Sequence, residues 1–182
     1  MHEPSRPESP AQGLTLRPAT PDDRRAIFEW LALSDITHLM LGPPTFPDSL
    51  APTWEEFLDD DQPHFFDGTQ PDQGRCFVIE VDGEPVGHIS HNEIDDAGQS
   101  TELDIWLRSS AYLGRGYGVE ALRILCDELH RTFGCRRFYI APSGRNTGAV
   151  RAYGKAGFVE TTERPDWFEP QYDDAVLLVK IV

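Results

Sequence analysis

The chain has 182 residues, which is long enough for one domain with a substantial hydrophobic core but short for two full-sized domains. Apolar residues make up 39% and charged residues 26%, and 15 glycines and 15 prolines are spread along the chain, which excludes a wholly disordered, collagen-like or coiled-coil protein. The net charge of -15 argues against nucleic acid as a partner, because binding to phosphates requires a basic surface.

Residues 1–13 are rich in proline and charge and hold no apolar run of the kind found in signal peptides. No aliphatic run approaches the length of a membrane-spanning helix. We therefore expect a flexible tail over 1–13, a single domain over 14–182, a cytoplasmic location and no membrane partner. The cysteines Cys76, Cys126 and Cys135 have neither paired nor metal-type spacing, so we expect reduced thiols.

The first half of the chain predicts one strand, two helices and a hairpin. Alternation over 14–17 indicates the strand, and the helix that follows has an apolar stripe extending to Leu33. A proline-rich loop over 42–52 precedes a short helix over 54–58. The hairpin over 76–92 is predicted because Asp-Gly, a strong turn signal, joins two apolar runs.

The second half alternates strands with helices. Residues 102–107 alternate strictly, with Glu102, Asp104 and Trp106 on one face of the predicted strand. A glycine cluster over 114–118 then opens a helix with apolar residues at helical spacing. The remaining predicted elements are a strand over 137–140, a short helix capped by Asn146, and two last strands over 158–161 and 176–181. This order indicates an α/β domain with a mixed, largely antiparallel sheet.

The charges are distributed unevenly along the chain. Residues 1–107 hold 22 acidic and 5 basic residues, whereas 108–155 hold 3 acidic and 9 basic residues. The basic segment favours an anion and its surroundings favour a cation, with chance clustering on a solvated face as the alternative.

The glycine cluster lies inside the basic segment. Backbone N–H groups at the start of a helix bind phosphate, so the cluster predicts an anion site to which Arg115 adds charge. It is not a dinucleotide-binding fingerprint, because Val119 stands where that motif needs glycine, and no P-loop lysine follows. A tight structural turn is the alternative interpretation.

Two stretches of the second half carry a combined pattern: LGRGYGVEAL over 113–122 and NTGAVRAYGKAGF over 146–158. The first resembles the acetyl-CoA pyrophosphate loop of the GCN5-related N-acetyltransferase (GNAT) family, and the second resembles that family's N-x-x-A-x-x-x-Y-x-K-x-G-F signature. The Arg or Gln that usually opens the loop is Leu113 here. The resemblance implies a GNAT-like α/β (α+β) fold with helices flanking the sheet, and acetyl-CoA as co-substrate.

The resemblance also implies ten coenzyme-binding residues. They are Leu107, Leu113, Gly114, Arg115, Gly116, Tyr117, Gly118, Asn146, Ala149 and Tyr153. Asn146 is also a favoured helix N-cap, and Tyr153 lies two turns further along the same helix, on nearly the same face. A phenol of pKa about 10 can return a proton to a thiolate whose conjugate acid has a pKa of about 8.5. We therefore predict Tyr153 as the catalytic acid, with ordinary helix packing as the alternative.

The catalytic base is predicted among the acidic residues of the strand that leads into the glycine loop. Glu102 or Asp104 can take the ammonium proton directly or through water, unless both lie on a merely solvated face. His88 and His91 are three residues apart on a strand and therefore point to opposite faces, so we predict no metal site.

The acceptor is predicted to be a primary amine of a cationic molecule. Glu29–Ser34, the spacing from Asp104 to Gly114, and Pro142-Ser143 before Asn146 resemble the aminoglycoside 6'-N-acetyltransferase branch of the family. The acidic residue that precedes Pro-Ser in that branch is Ala141 here, and the ending over 167–178 resembles acetyltransferases of protein N-termini or polyamines. A non-catalytic acyl-CoA sensor is a further alternative. We expect a small-molecule or peptide amine as partner, and a monomer or homodimer.

Overall fold

A seven-stranded sheet runs through the computed structural model, which describes residues 13–41, 51–95, 97 and 99–182. The strands are β1 (Leu14–Pro18), β2 (Arg75–Val81), β3 (Glu84–His91), β4 (Ser100–Leu107), β5 (Arg137–Ile140), β6 (Val159–Glu160) and β7 (Leu178–Ile181). Their order across the sheet is β1-β2-β3-β4-β5-β7-β6. Neighbouring strands are antiparallel except for β4 and β5, which confirms the predicted mixed, largely antiparallel sheet.

Helices cover both faces of this sheet, as predicted. They are α1 (Arg24–Ala32), α2 (Thr37–Met40), α3 (Trp54–Asp60), α4 (His64–Asp67), α5 (Tyr117–Phe133) and α6 (Thr147–Lys155), with 3-10 turns at Pro21–Asp23 and Ser110–Tyr112. The helix of the basic segment, α5, ends at Gly134, whose φ of 70° favours glycine. In the described part of the chain no helix is both long and apolar enough to cross a membrane.

The alternation of β4 divides the core between the two faces. Leu103 is buried in the cluster formed with α5, and Trp106 is buried in the cluster formed with α1, α3 and α4. The Trp106 indole N–H also donates to the carbonyl of Ile27 in α1, at 3.3 Å. Each fully buried leucine or phenylalanine contributes about 1.5–3 kcal/mol, so both clusters hold the helices firmly on the sheet.

Several elements differ from the predictions in detail. The first helix ends at Ala32, so Leu33 lies outside the apolar stripe and is 68% exposed, while Phe28 is buried instead. The short helices α2 and α4 were not predicted, because single turns carry too few residues for a periodic pattern. The hairpin turn is predicted over 82–85 and is shorter in the structure: Asp82 and Gly83 have φ of 51° and 81°, and β3 begins directly afterwards at Glu84.

Some sequence predictions fall on residues outside the described ranges. Most of the predicted tail over 1–13 and most of the loop over 42–52 belong to this group.

The parallel pair β4 and β5 positions the candidate site. β4 pairs with β5 over Ser100–Glu102, whereas its pairing with β3 continues to Leu107. The two strands therefore diverge beyond Glu102 and leave a gap in the middle of the sheet.

Candidate active site

A cleft of about 610 Å³ lies beside the end of β4, beyond the residues that pair with β5. Its walls come from the end of β4, the glycine loop, the first turn of α5, helix α6 and the α2 region. Apolar side chains such as Ile105 and Leu107 line its strand side, while Arg145, Arg151 and Lys155 add positive charge from the α6 side. A cleft with an apolar strand wall and a basic rim suits a long ligand with an anionic end.

The glycine loop forms one end of this cleft. Gly114 and Gly116 have φ of 70° and 81°, in the left-handed region that glycine adopts without strain. Gly116 is the N-cap of α5, so the first backbone N–H groups of this long helix lie at the cleft wall. The helix start and the open space beside both glycines fit a diphosphate group.

Asn146 forms the start of α6 at the opposite wall. Its side-chain oxygen accepts a hydrogen bond from Ala149 N–H at 3.1 Å, so it is the N-cap that the sequence predicted. Both residues line the cleft. The cap therefore leaves the side-chain NH2 of Asn146 as a donor for a ligand.

Nine of the ten residues assigned to coenzyme binding lie together around the cleft. They are Leu107, Leu113, Gly114, Gly116, Tyr117, Gly118, Asn146, Ala149 and Tyr153. Arg115 is exposed and is not part of the cleft lining, because the turn of the glycine loop directs it to solvent.

Tyr153 lines the cleft from α6. Its side chain is 8% exposed, and its hydroxyl has no hydrogen-bond partner among the described residues. Burial raises the pKa of the Tyr153 phenol, and the negative charge of Asp104 raises it further. The phenol therefore remains protonated, as a proton donor requires.

Asp104 connects Tyr153 to a group of acidic side chains. The side chain of Asp104 projects from β4 and is accessible to solvent. Desolvation by the protein atoms packed around it raises its pKa to about 6. The hydrogen bond that Ile105 N–H donates to its Oδ1 at 2.9 Å acts in the opposite direction and lowers the pKa. Glu102 is half-buried on the same face, and Asn92 donates to its Oε2 at 3.4 Å. Desolvation, then the charge of Asp104, raises the pKa of Glu102 to about 7. Neither the Glu102 nor the Asp104 carboxylate is part of the cleft lining.

Two further side chains near Asp104 were not predicted from the sequence. Asp61 follows α3, and desolvation together with the charge of Asp104 raises its pKa to about 7. Tyr172 lies in the segment between β6 and β7, and its pKa is raised by burial and by Asp104. Their segments are far from Asp104 in sequence, and an acidic run before α4 was the one available signal for Asp61.

The cysteines and histidines offer no alternative chemistry among the described residues. Cys76, Cys126 and Cys135 are buried, and desolvation raises the pKa of Cys126 to about 12, so its nucleophilic thiolate is disfavoured. His88 contacts Trp106 and His91 contacts Phe133, which places them on opposite faces of the sheet. No group of three potential metal ligands occurs in the described part of the chain.

Comparisons with known proteins agree with this architecture. The model of the acetyltransferase (GNAT) domain matches residues 13–159. The chain is 27% identical over 165 residues to aminoglycoside N(6')-acetyltransferase type 1 of Klebsiella pneumoniae, which covers 84% of this chain and 78% of the relative. It is 30% identical over 104 residues to spermidine N(1)-acetyltransferase of Escherichia coli (strain K12), covering 56% and 55%. The solved structure of AAC(6')-Ib with paromomycin and acetyl-CoA matches with a TM-score of 0.70 and 22% identity, over 93% of this chain and 94% of that chain.

Proposed function

Because the chain belongs to the acetyltransferase (GNAT) family, we propose that it transfers the acetyl group of acetyl-CoA directly to a primary amine of a cationic acceptor. The observation that carries this proposal is that one cleft combines a glycine-rich helix start with Tyr153. The charge of Asp104 raises the pKa of Tyr153, so the predicted acid and the predicted base act on each other.

The residues of the cleft fit the coenzyme. Acetyl-CoA supplies an activated acetyl group as a thioester. The backbone N–H groups of the glycine loop hold its diphosphate, and Asn146 contributes a side-chain donor further along. The apolar side chains of Ile105 and Leu107 line the strand side of the cleft and disfavour water there.

The proton movements are assigned to two side chains. Asp104 is largely ionised at neutral pH because its pKa is about 6, so it accepts a proton from the acceptor ammonium directly or through water. Tyr153 holds its phenolic proton across the physiological range and donates it to the departing sulfur. Glu102, with a pKa of about 7, is the alternative base.

The acidic side chains around Asp104 select a cationic acceptor. The charge of Asp104 acts on both Asp61 and Glu102, and a bound ammonium relieves this repulsion. The similarity to an aminoglycoside acetyltransferase supports an aminoglycoside-like small molecule. The similarity to a spermidine acetyltransferase supports a polyamine as the second candidate, and a protein N-terminus is a third.

Thiol release from acetyl-CoA tests the proposal. The purified protein is assayed with a panel of aminoglycosides, polyamines and short peptides, with the product identified by mass spectrometry. Release that depends on one amine class supports the enzyme and names its acceptor. Tight coenzyme binding without release for any amine contradicts the proposal and favours an acyl-CoA sensor.

Two finer predictions accompany this proposal. We propose that the protein acts on a small-molecule or peptide amine in the cytoplasm, and that it works as a monomer or homodimer. Fractionation of cells and sedimentation of the purified protein test these two points.

A further inference from the structure

The segment over 172–176, between β6 and β7, returns to the start of α6. Gly144 N–H donates to the carbonyl of Asp174 at 2.9 Å. A second backbone hydrogen bond of 2.9 Å and an isolated antiparallel bridge follow along the same two segments, 172–176 and 142–145. The segment is therefore fixed against the loop that carries Asn146, rather than free at the sheet edge.

A side-chain clamp reinforces this attachment. Asp174 Oδ2 accepts a hydrogen bond from Ser143 Oγ at 2.8 Å and lies 3.7 Å from Arg145 Nε. Arg145 lines the cleft and also donates to the carbonyl of Leu41, directly after α2, at 3.4 Å. The clamp, formed by Ser143, Arg145 and Asp174, thus joins the segment to two walls of the cleft.

Tyr172 is held two residues before Asp174 by this arrangement. Ala175 N–H donates to the carbonyl of Tyr172 at 3.1 Å, which closes a tight turn. The Tyr172 ring is half-buried, and its hydroxyl has no hydrogen-bond partner within the described ranges. β4 and β5 run parallel with Glu102 opposite Tyr139, so Asp104, two residues further along β4, lies towards the same end of the sheet as the 142–145 loop that holds the 172–176 segment. The raised pKa of Tyr172 and of Tyr153, to which the Asp104 carboxylate contributes, agrees with this placement.

We propose that Tyr172 contacts the acceptor amine beside Asp104, and that the clamp around Asp174 positions Tyr172 for this contact. The inference rests on the proposed acetyltransferase function. An ammonium group has three N–H donors, so Asp104 accepts one hydrogen bond and the neutral Tyr172 hydroxyl accepts another. Tyr172 thereby helps to bind the acceptor, whereas Tyr153 acts in the chemical step.

The two tyrosines are distinguished by separating KM from kcat. We expect Tyr172→Phe to raise KM for the amine about tenfold while the Kd of coenzyme A stays unchanged, because one hydrogen bond to a charged group is lost. Tyr139→Phe is the matched control, since Tyr139 is a second tyrosine whose ring packs against Trp167. An active wild-type enzyme whose amine KM is unaltered in Tyr172→Phe overturns the contact. A wild-type protein that releases no thiol with any amine refutes the proposed function instead.

A double-mutant cycle tests the positioning role of Asp174. We expect Asp174→Asn to raise the amine KM as well, and the combination with Tyr172→Phe to be no worse than Tyr172→Phe alone, because Asp174 acts through Tyr172. The exposed neighbour Asp173 provides the matched control Asp173→Asn, which should leave KM unchanged. Effects that multiply fully in the double variant overturn the positioning role. Thermal unfolding of each variant separates a loss of folding from a loss of acceptor binding.

Discussion

The assignment of Asp104 as base makes a quantitative prediction for the pH dependence of kcat/KM for the amine. In the wild-type enzyme the rate should rise with pH to about 6, the pKa of Asp104, and then stay level, because the ionised base accepts a proton from the abundant ammonium form. In Asp104→Asn the inflection near pH 6 should vanish. Since general-base catalysis contributes about 10²–10⁴-fold, we expect a loss of that size at neutral pH.

The deficit of Asp104→Asn should shrink as the pH rises. Without a base, only amine that is already deprotonated reacts, and the fraction of an amine with pKa about 10 in that form increases tenfold for each pH unit. The variant should therefore recover about a hundredfold between about pH 7 and pH 9 relative to the level wild-type profile. Steady-state thiol release measured across this range in buffers of constant ionic strength provides the profile.

Glu102→Gln is the matched control for this prediction. Glu102 lies on the same strand face, and its removal should leave the inflection near pH 6 in place because Asp104 remains. If the wild-type inflection instead persists in Asp104→Asn and disappears in Glu102→Gln, Glu102 is the base. A pH profile of Asp104→Asn that matches the wild type in shape refutes the role of Asp104.

Three further variants test the other parts of the site. Tyr153→Phe should lower kcat about tenfold or more while the Kd of coenzyme A, measured by calorimetry, stays similar; an unchanged kcat removes Tyr153 from the chemistry. Gly116→Val should weaken coenzyme binding about tenfold or more and cost about 1–2 kcal/mol of folding free energy, because its φ of 81° is left-handed; normal calorimetric affinity would place the diphosphate elsewhere. Asp61→Asn should raise the thermal midpoint more at about pH 8.5 than at pH 5, since a carboxyl whose pKa burial has raised to about 7 loses folded-state stability as the pH rises through that value. The exposed Asp59→Asn is its control, and an equal gain at both pH values would contradict the buried charge.

The part of the site that lies on continuous stretches of sequence was predictable. The strict alternation of β4 correctly placed Asp104 and Trp106 on the same face, because side chains of a strand alternate wherever one face is buried. The N-cap at Asn146 was also predictable, since a single side chain and the backbone two or three residues later decide it.

The group of side chains around Asp104 could not be assembled from the sequence. Asp61 and Tyr172 come to Asp104 only through the packing of α3 and the clamp at Asp174. Their pKa values are raised mainly by burial, a property of the folded surroundings that no local pattern encodes. The end of α1 was also not predicted: Leu33 was assigned to the apolar stripe, but the helix ends one residue before it.

The short pairing of β4 with β5 means that few backbone hydrogen bonds join the two halves of the sheet. β4 pairs with β5 over Ser100–Glu102, and the carbonyl of Gln99 accepts further backbone hydrogen bonds from Arg136 and Arg137. A ligand bound in the cleft contacts the end of β4 in one half and helix α6, which follows β5, in the other, and so adds contacts between the two halves. Its binding stabilises the folded protein by RT ln(1 + [L]/Kd), about 2.7 kcal/mol at a hundredfold excess over Kd, so the melting temperature itself reports occupancy of the cleft.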